Sequence, residues 1–308
     1  MLMYHRVADL PLDPWGLAVS PRNFAEQLVV LTRQRTPLHA GEFASRLAAG
    51  TLPADAVAVT FDDGYVDNLG AARPLLAASG VPATLFLATG IVGPARYWWD
   101  ELEQLIFGSP SNPDATIDIG GERVALRWED GPSTPRRDWL AWEAPATRRE
   151  ATYYAVWEKL RGLRPERRAV AMAAIRAAVP AAAAPAATRA MTRAEIAEHL
   201  AGGLIELGAH TVTHPALTTL SMEDRRAEIA GSKAECEAIT GRPVHGFAYP
   251  HGDLDEATKA DVSAAGFRWA CSTVERPVSG PGLDPLALPR YQAYNLPGEA
   301  FEQALRAM

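Results

Sequence analysis

Short apolar runs alternate with longer stretches of helical periodicity over most of the chain, punctuated by glycine and proline. Val57, Ala58 and Val59 are small or β-branched and apolar, as a strand covered on both faces requires. The run ends at Thr60-Phe61-Asp62-Asp63-Gly64-Tyr65, where two adjacent carboxylates precede a glycine. Upstream, Met1–Val7 reads as a short strand. Ser20 is placed to cap a helix with Pro21 at its first position, and Phe24, Leu28, Val29 and Leu31 fall on the apolar side of that helix. A second helix is predicted over 41–49, a third over 68–79 stopped by Gly80, and 81–90 reads as the next buried strand. This strand–helix–strand spacing predicts an α/β fold with a parallel sheet and right-handed crossovers.

Between Ile91 and Arg189 the rhythm fails. Arg96–Leu102 opens an amphipathic helix, and Thr116–Trp128 alternates like a hairpin across Gly120-Gly121. Residues 147–162 and 165–178 read as helices, with Tyr153, Val156, Trp157 and Leu160 in one apolar stripe, and Ala181–Ala187 as a low-complexity linker. The expectation is an insertion over 91–189 within a main domain formed by 1–90 and 190–308. The rhythm resumes at Thr192 and Glu195, a capping box. There follow an apolar strand from Leu204, a helix over 222–240 ended by Gly241, and a strand from Phe247 that runs into a turn at Pro250. A helix at 255–265, strands at 267–272 and 287–291, and a helix at 298–307 complete the chain.

Composition narrows the function classes more than the fold. The 308 residues suffice for one large α/β barrel or two modest domains, and 48% hydrophobic with 22% charged is ordinary for a globular protein. No apolar run is long enough to cross a membrane, and a net charge of −7 argues against nucleic acid as a partner. Cys236 and Cys271, the only cysteines, give no disulfide framework. Met1–Tyr4 reads as a strand rather than a signal peptide, so a cytoplasmic location is expected.

The chemistry sits where apolar strands end. In parallel α/β folds ligands bind at the carboxyl ends of strands. Neighbouring side chains on a strand point in opposite directions, so Asp62 and Asp63 can divide the work, one facing a metal and the other a reacting group. An ordinary Asp-Gly turn is the bland alternative. What shifts the balance is the strand from Leu204, which runs into His210 and His214. One helical turn would bring both imidazoles to one face. Two histidines and one aspartate, with positions open to water and substrate, form the ligand set of a catalytic divalent site.

Thr60-Phe61-Asp62-Asp63-Gly64-Tyr65 together with His210-Thr211-Val212-Thr213-His214 resembles the first two motifs of the polysaccharide deacetylases, over roughly residues 1–105 and 190–295. The resemblance implies a distorted (β/α) barrel of seven or eight strands and the metal-dependent removal of acetyl groups from sugars. It makes Asp62 the general base, and Asp63, His210 and His214 the ligands of zinc or, failing that, cobalt, nickel or manganese. The family's third motif, Arg-x-Pro-aromatic-Gly, is matched by Ala248-Tyr249-Pro250-His251-Gly252, whose amide after Pro250 would serve an oxyanion. Ala248 stands where the family has the arginine that orients the base, and the usual Leu-x-His with the general acid is missing. Arg290, ending the last strand, is the candidate replacement for the first. His5 is the candidate for the second, resembling the N-terminal Tyr-His of relatives with rearranged motifs, including those that act on biofilm poly-N-acetylglucosamine. His251 competes for the acid role and Asp253 is a lesser candidate, while His245 is expected at the surface. Tyr65, Tyr249, Trp98 and Trp99 are the substrate-contact candidates, although the insertion's aromatics also suit a small core of their own. The expected partner is an N-acetylated carbohydrate or glycoconjugate. An O-acetyl ester or non-sugar amide suits the same site, and a catalytically inactive carbohydrate-binding barrel is the reading from another class.

Overall fold

The computed structural model describes residues 1–93, 96–110, 112–128, 139–179, 188–278 and 283–307. In chain order the first elements are β1 (Leu2–Tyr4), β2 (Arg6–Val7), β3 (Ala18–Val19), α1 (Pro21–Gln34), β4 (Thr36–Leu38), α2 (Ala40–Ala48), β5 (Ala56–Asp63), α3 (Arg73–Ser79) and β6 (Ala83–Leu87). The middle contributes α4 (Trp98–Phe107), a hairpin of β7 (Asp114–Ile119) and β8 (Glu122–Arg127), α5 (Arg148–Arg161) and α6 (Pro165–Ala178). The remainder is α7 (Arg193–Leu200), β9 (Ile205–Ala209), α8 (Met222–Thr240), β10 (Gly246–Ala248), α9 (Glu256–Ala264), β11 (Trp269–Cys271), β12 (Tyr291–Gln292) and α10 (Gly298–Ala307).

The chain divides into two compact units. One holds Met1–Leu10, Leu17–Pro94 and Ala190–Met308, the other Pro11–Gly16 and Ala95–Arg189. The short excursion Pro11–Gly16, expected in the main domain, belongs to the second unit because of Trp15. Its ring lies 4.0 Å from that of Trp157 between centroids, and its indole N–H donates to the Tyr153 hydroxyl at 2.8 Å. The expected linker Ala181–Ala187 lies outside the described residues.

In the first unit the strands run parallel in the order β11-β10-β9-β6-β5-β1-β12, with β4 also on β5, as a curled (β/α) barrel sheet. Proline cannot donate to a ladder, and Pro289 splits the strand expected over 287–291. Leu288 bridges to Cys271 of β11, while Tyr291 and Gln292 pair with Leu2 and Met3 of β1, so one short segment is bonded on both flanks. The two faces of β5 feed different clusters, as period-2 geometry dictates. Val57, Val59 and Phe61 join Phe24, Leu28 and Leu31 of α1, whereas Ala58 packs with Phe86, Ala248, Cys271 and Leu288.

Local signals act where they stand. The Ser20 hydroxyl accepts from the Asn23 amide at 3.1 Å, Thr192 and Glu195 complete a capping box, and Gly80 and Gly241 end their helices in the left-handed region. Val29, expected on the apolar side of α1, is 45% exposed. The buried stripe of that helix runs through Phe24, Gln27, Leu28 and Leu31, with the Gln27 amide held by the Tyr294 and Leu296 carbonyls. The helix expected from residue 68 starts as a π-helical stretch, Asn68–Ala72, before α3.

His199 on α7 is 1% exposed, and neither ring nitrogen has a hydrogen-bond partner among the described residues. Burial, then the Arg73 charge, pushes its pKa down to about 4. The unfolded chain takes up this proton near pH 6.5, so the contribution to stability is whole above that pH and is lost as pH falls toward 4. The loss amounts to about 3 kcal/mol at the usual conversion. His199→Leu is expected to lose less stability than wild type between pH 6.5 and 4.5 in denaturant titrations; parallel losses would refute the assignment.

Candidate active site

β5 delivers Asp62 and Asp63 at its carboxyl end, both 2% exposed. Asp62 follows Ala58 and Thr60 on one face of the strand. Asp63 leaves the extended region with φ of 74°, and Gly64 continues the turn at φ of 102°. Among the described residues four non-glycine positions have positive φ: Asp63, Thr211, His214 and His251. Each costs about 1–3 kcal/mol, and such strain collects at functional sites.

Arg290 faces Asp62 from the closing segment and is fully buried. Its two terminal nitrogens donate to the two carboxylate oxygens, each at 2.7 Å. Nη1 also reaches the Thr60 hydroxyl oxygen at 3.0 Å, and Nε the Ser272 carbonyl at 3.1 Å. Burial alone would raise the Asp62 carboxyl pKa. The charges of Arg290 and His210, with the hydrogen bonds from Arg290, more than offset it and hold Asp62 below the usual carboxylate range.

Asp63 turns to the histidines. Its Oδ1 lies 3.3 Å from His214 Nε2 and 3.6 Å from His210 Nε2, and the three donor atoms fall within 4.8 Å of one another. His210 Nδ1 lies 2.8 Å from the Ala248 carbonyl oxygen. An N–H there leaves the Nε2 lone pair on the side of Asp63, and a backbone carbonyl holding the other ring nitrogen is typical of metal-binding histidines. Burial lowers the His210 pKa, favouring the neutral ring a metal needs. These residues fit a divalent ion. No helical turn brings the histidines together, contrary to the sequence expectation. The chain makes a tight turn after β9, left-handed at Thr211 (φ 65°) and His214 (φ 54°), with the Thr211 hydroxyl accepting the His214 amide at 3.0 Å.

The model of the family described as polysaccharide deacetylase matches residues 49–106 and 173–270, just over half of the chain. The chain belongs to the polysaccharide deacetylase family. The deacetylase PplD of Streptococcus pyogenes, solved in complex with acetate, aligns with a TM-score of 0.62 at 18% identity, over 98% of this chain and 95% of that one. IcaB from Ammonifex degensii gives 0.60 at 19% identity, over 99% and 94%. A de-N-acetylase from Aggregatibacter actinomycetemcomitans gives 0.59 at 13%, over 98% and 97%. At these identities the likeness is one of fold. No curated protein sequence matches the chain.

Other candidates in this deacetylase divide by access. His5 is half-buried, and after burial itself the charges acting on it are those of Asp62, Arg290 and His210. Its pKa is pushed down to about 4, so it is neutral at rest. The His251 ring packs edge-on against His214 at 4.6 Å between centroids. It stands on the turn Pro250–Gly252, in which the Gly252 and Asp253 amides bond back to the Tyr249 and Pro250 carbonyls. Tyr249 is fully buried and its hydroxyl donates to the Leu286 carbonyl at 2.9 Å. Tyr65 is likewise fully buried, beneath the Arg6 guanidinium at 4.4 Å. Asp253 binds the Thr218 amide and hydroxyl. In the second unit Trp98 and Trp99 are 9% and 6% exposed and pack edge-on against each other, with Trp98 beneath Arg168. These contacts are those of a core. His245, expected at the surface, is half-buried with Nδ1 inaccessible.

Sequence reasoning missed the residues that hold these elements still. Arg6 donates through Nε and Nη2 to one oxygen of buried Asp67 at 3.0 and 2.9 Å, the Val7 amide donates to the other, and Asn68 Nδ2 donates to the His5 carbonyl at 2.9 Å. The cues were faint, a carboxylate and an amide a few positions beyond Asp63. A cavity of about 1250 Å³ lined by His39, Glu206, His245 and Trp269 lies at the opposite, amino-terminal ends of β9–β11, so it is not the site of the carboxylate chemistry.

Breaking a buried pair on one side typically costs about 3–5 kcal/mol, because a charge is left uncompensated. Arg290→Ala should therefore destabilise strongly, and Arg290→Ala combined with Asp62→Ala should recover part of the loss in denaturant titrations. Strictly additive losses in that cycle would show that the pair contributes no coupling.

Proposed function

We propose that this protein is a metal-dependent deacetylase that hydrolyses the N-acetyl group of an amino sugar or sugar-containing intermediate. The observation that carries the reading is the adjacency of two differently employed carboxylates: Asp62 is locked to Arg290, and Asp63 faces two histidine nitrogens. A pure binding module needs no ionised base beside such a donor set. Membership of the family supports a carbohydrate substrate, and a structural relative described as a de-N-acetylase supports the amide over the ester.

Asp63, His210 and His214 would hold the ion. Bound there, a divalent metal acts as a Lewis acid toward water and the acyl oxygen. Asp62 removes a proton from the attacking water, whose oxygen forms the new bond to the acyl carbon. The backbone amide after Pro250 is the donor to the developing oxyanion. The carbon–nitrogen bond then breaks, the amine nitrogen takes a proton, and acetate and a free amino sugar leave. His5 is the proposed source of that proton. Being neutral at rest, it must first receive one, and the proton that Asp62 takes from the attacking water supplies it.

Purified protein should carry one divalent ion per chain, zinc being expected and cobalt, nickel and manganese being tested, and should release acetate from N-acetylglucosamine oligosaccharides. Preference for O-acetylated xylan would replace the amide reading with an esterase. Asp62→Asn should keep its metal and lose at least about a hundredfold in turnover, the usual worth of a positioned acid or base. Loss of metal in Asp62→Asn, with activity per bound ion retained, would mean the aspartate roles are reversed. His5→Ala should slow turnover more than His251→Ala; the opposite order would assign the acid to His251.

A further inference from the structure

The turn that carries His210 and His214 is locally unfavourable, since Thr211 and His214 are both left-handed and neither is glycine. Something outside the turn must hold it. On one side the Thr89 and Gly90 amides donate to the Thr211 and Val212 carbonyls at 3.1 and 2.7 Å. On the other side stands α8, a helix with no other part in the chemistry. Its Glu228 accepts the consecutive amides of Val212 and Thr213 on a single oxygen, each at 2.8 Å, and the Thr213 hydroxyl on the other oxygen. Three residues on, along the same face of the helix, Gly231 admits the Val212 side chain: a Cβ at Gly231 would stand 3.0 Å from Val212 Cγ2. A Cβ at Gly90 would stand 2.8 Å from the other Val212 methyl. Val212 is thus wedged between two glycines while Glu228 grips the amides on either side of the Val212 Cα.

We infer that Glu228 is a positioning residue for the metal centre, holding the His210–His214 turn in its strained form so that both Nε2 atoms face Asp63. Successive backbone N–H groups around a carboxylate form an anion-binding nest with charge-assisted bonds, about twice as strong as neutral ones. Without the carboxylate the Val212 and Thr213 amides lose their acceptor, and the turn relaxes toward backbone angles that cost less. Relaxation separates the two imidazoles, and the ion must then bring them back together at the expense of its own affinity.

The inference rests on the metal reading above, and the test separates the two. Zinc affinity is measured by chelator competition on the full-length chain, alongside far-UV circular dichroism and thermal unfolding of the metal-free protein. Glu228→Ala should bind zinc about 10–100-fold more weakly, the range for outer-shell partners of metal ligands. Glu228→Gln, which keeps one carbonyl acceptor, should recover part of that loss. Glu235→Ala, which removes a carboxylate from the same helix where it pairs with Arg193, should bind as wild type does. Wild-type affinity in a folded Glu228→Ala would overturn the inference and leave the metal reading standing. Should Glu228→Ala fail to fold, wild-type affinity in Glu228→Gln would overturn it equally. A wild-type chain that binds no zinc, cobalt or nickel would overturn the metal reading and the inference with it.

Discussion

A guanidinium and a carboxylate withdrawn from water destabilise a fold unless each finds its counterpart in good geometry. Arg290 and Asp62 meet that condition in two parallel 2.7 Å bonds, and the remaining guanidinium contacts go to Thr60 and Ser272. The pair joins the central strand β5 to the segment that is bonded on one flank to β11 and on the other to β1. A single ion pair therefore bears on three properties: how the sheet curls onto itself, which way the Asp62 oxygens point, and the ionised state of Asp62 at neutral pH. It also accounts for the alanine at 248. With the base braced from another strand, the Ala248 side chain has no polar task, and its carbonyl oxygen orients His210.

The rest of the centre is a balance between local strain and imposed contacts. Asp63, Thr211, His214 and His251 occupy backbone conformations that cost free energy in isolation. The surroundings offset that cost through neighbouring elements: the segment after β6, the helix α8 and the Pro250–Gly252 turn each contribute hydrogen bonds or close packing. Strain maintained in this way yields preorganisation, because the His210 and His214 nitrogens are held beside Asp63 by the fold itself. The same logic extends to His5: Asn68 holds its carbonyl and Asp67 the Val7 amide, both from the loop that follows Asp62 and Asp63.

The second unit has an interior of its own. Tyr153, Val156 and Leu160 of α5 are fully buried, and Trp139 and Phe107 pack on Tyr153. An amphipathic stripe at helical spacing is satisfied by a core, and here it is. The low exposure of Trp98 and Trp99 is likewise that of residues packed in this interior.

Much of this protein is written in short-range patterns. Capping boxes, helix-ending glycines, the apolar strand that runs into two aspartates, and two histidines spaced four apart all act over a few residues. Their meaning survives in any context, so strands, helices and the Asp63, His210 and His214 cluster were legible. What the chain alone left open were relations across long separations. Arg290 was a plausible brace for Asp62, but only the closing of the sheet brings the two together across 228 positions. The exposure of Val29, the burial of Tyr65 and Tyr249 and the grouping of Pro11–Gly16 were hidden for the same reason: exposure and unit membership depend on what packs alongside, not on the residue or its neighbours. Glu228 shows the limit most plainly. A glutamate on a polar helix carries no local sign of function, and its role arises only because tertiary packing sets that helix against a strained turn. Sequence determined which groups this protein possesses and the local shapes that carry them; the tertiary structure decided which groups meet, because contact energies act through space while propensities act along the chain.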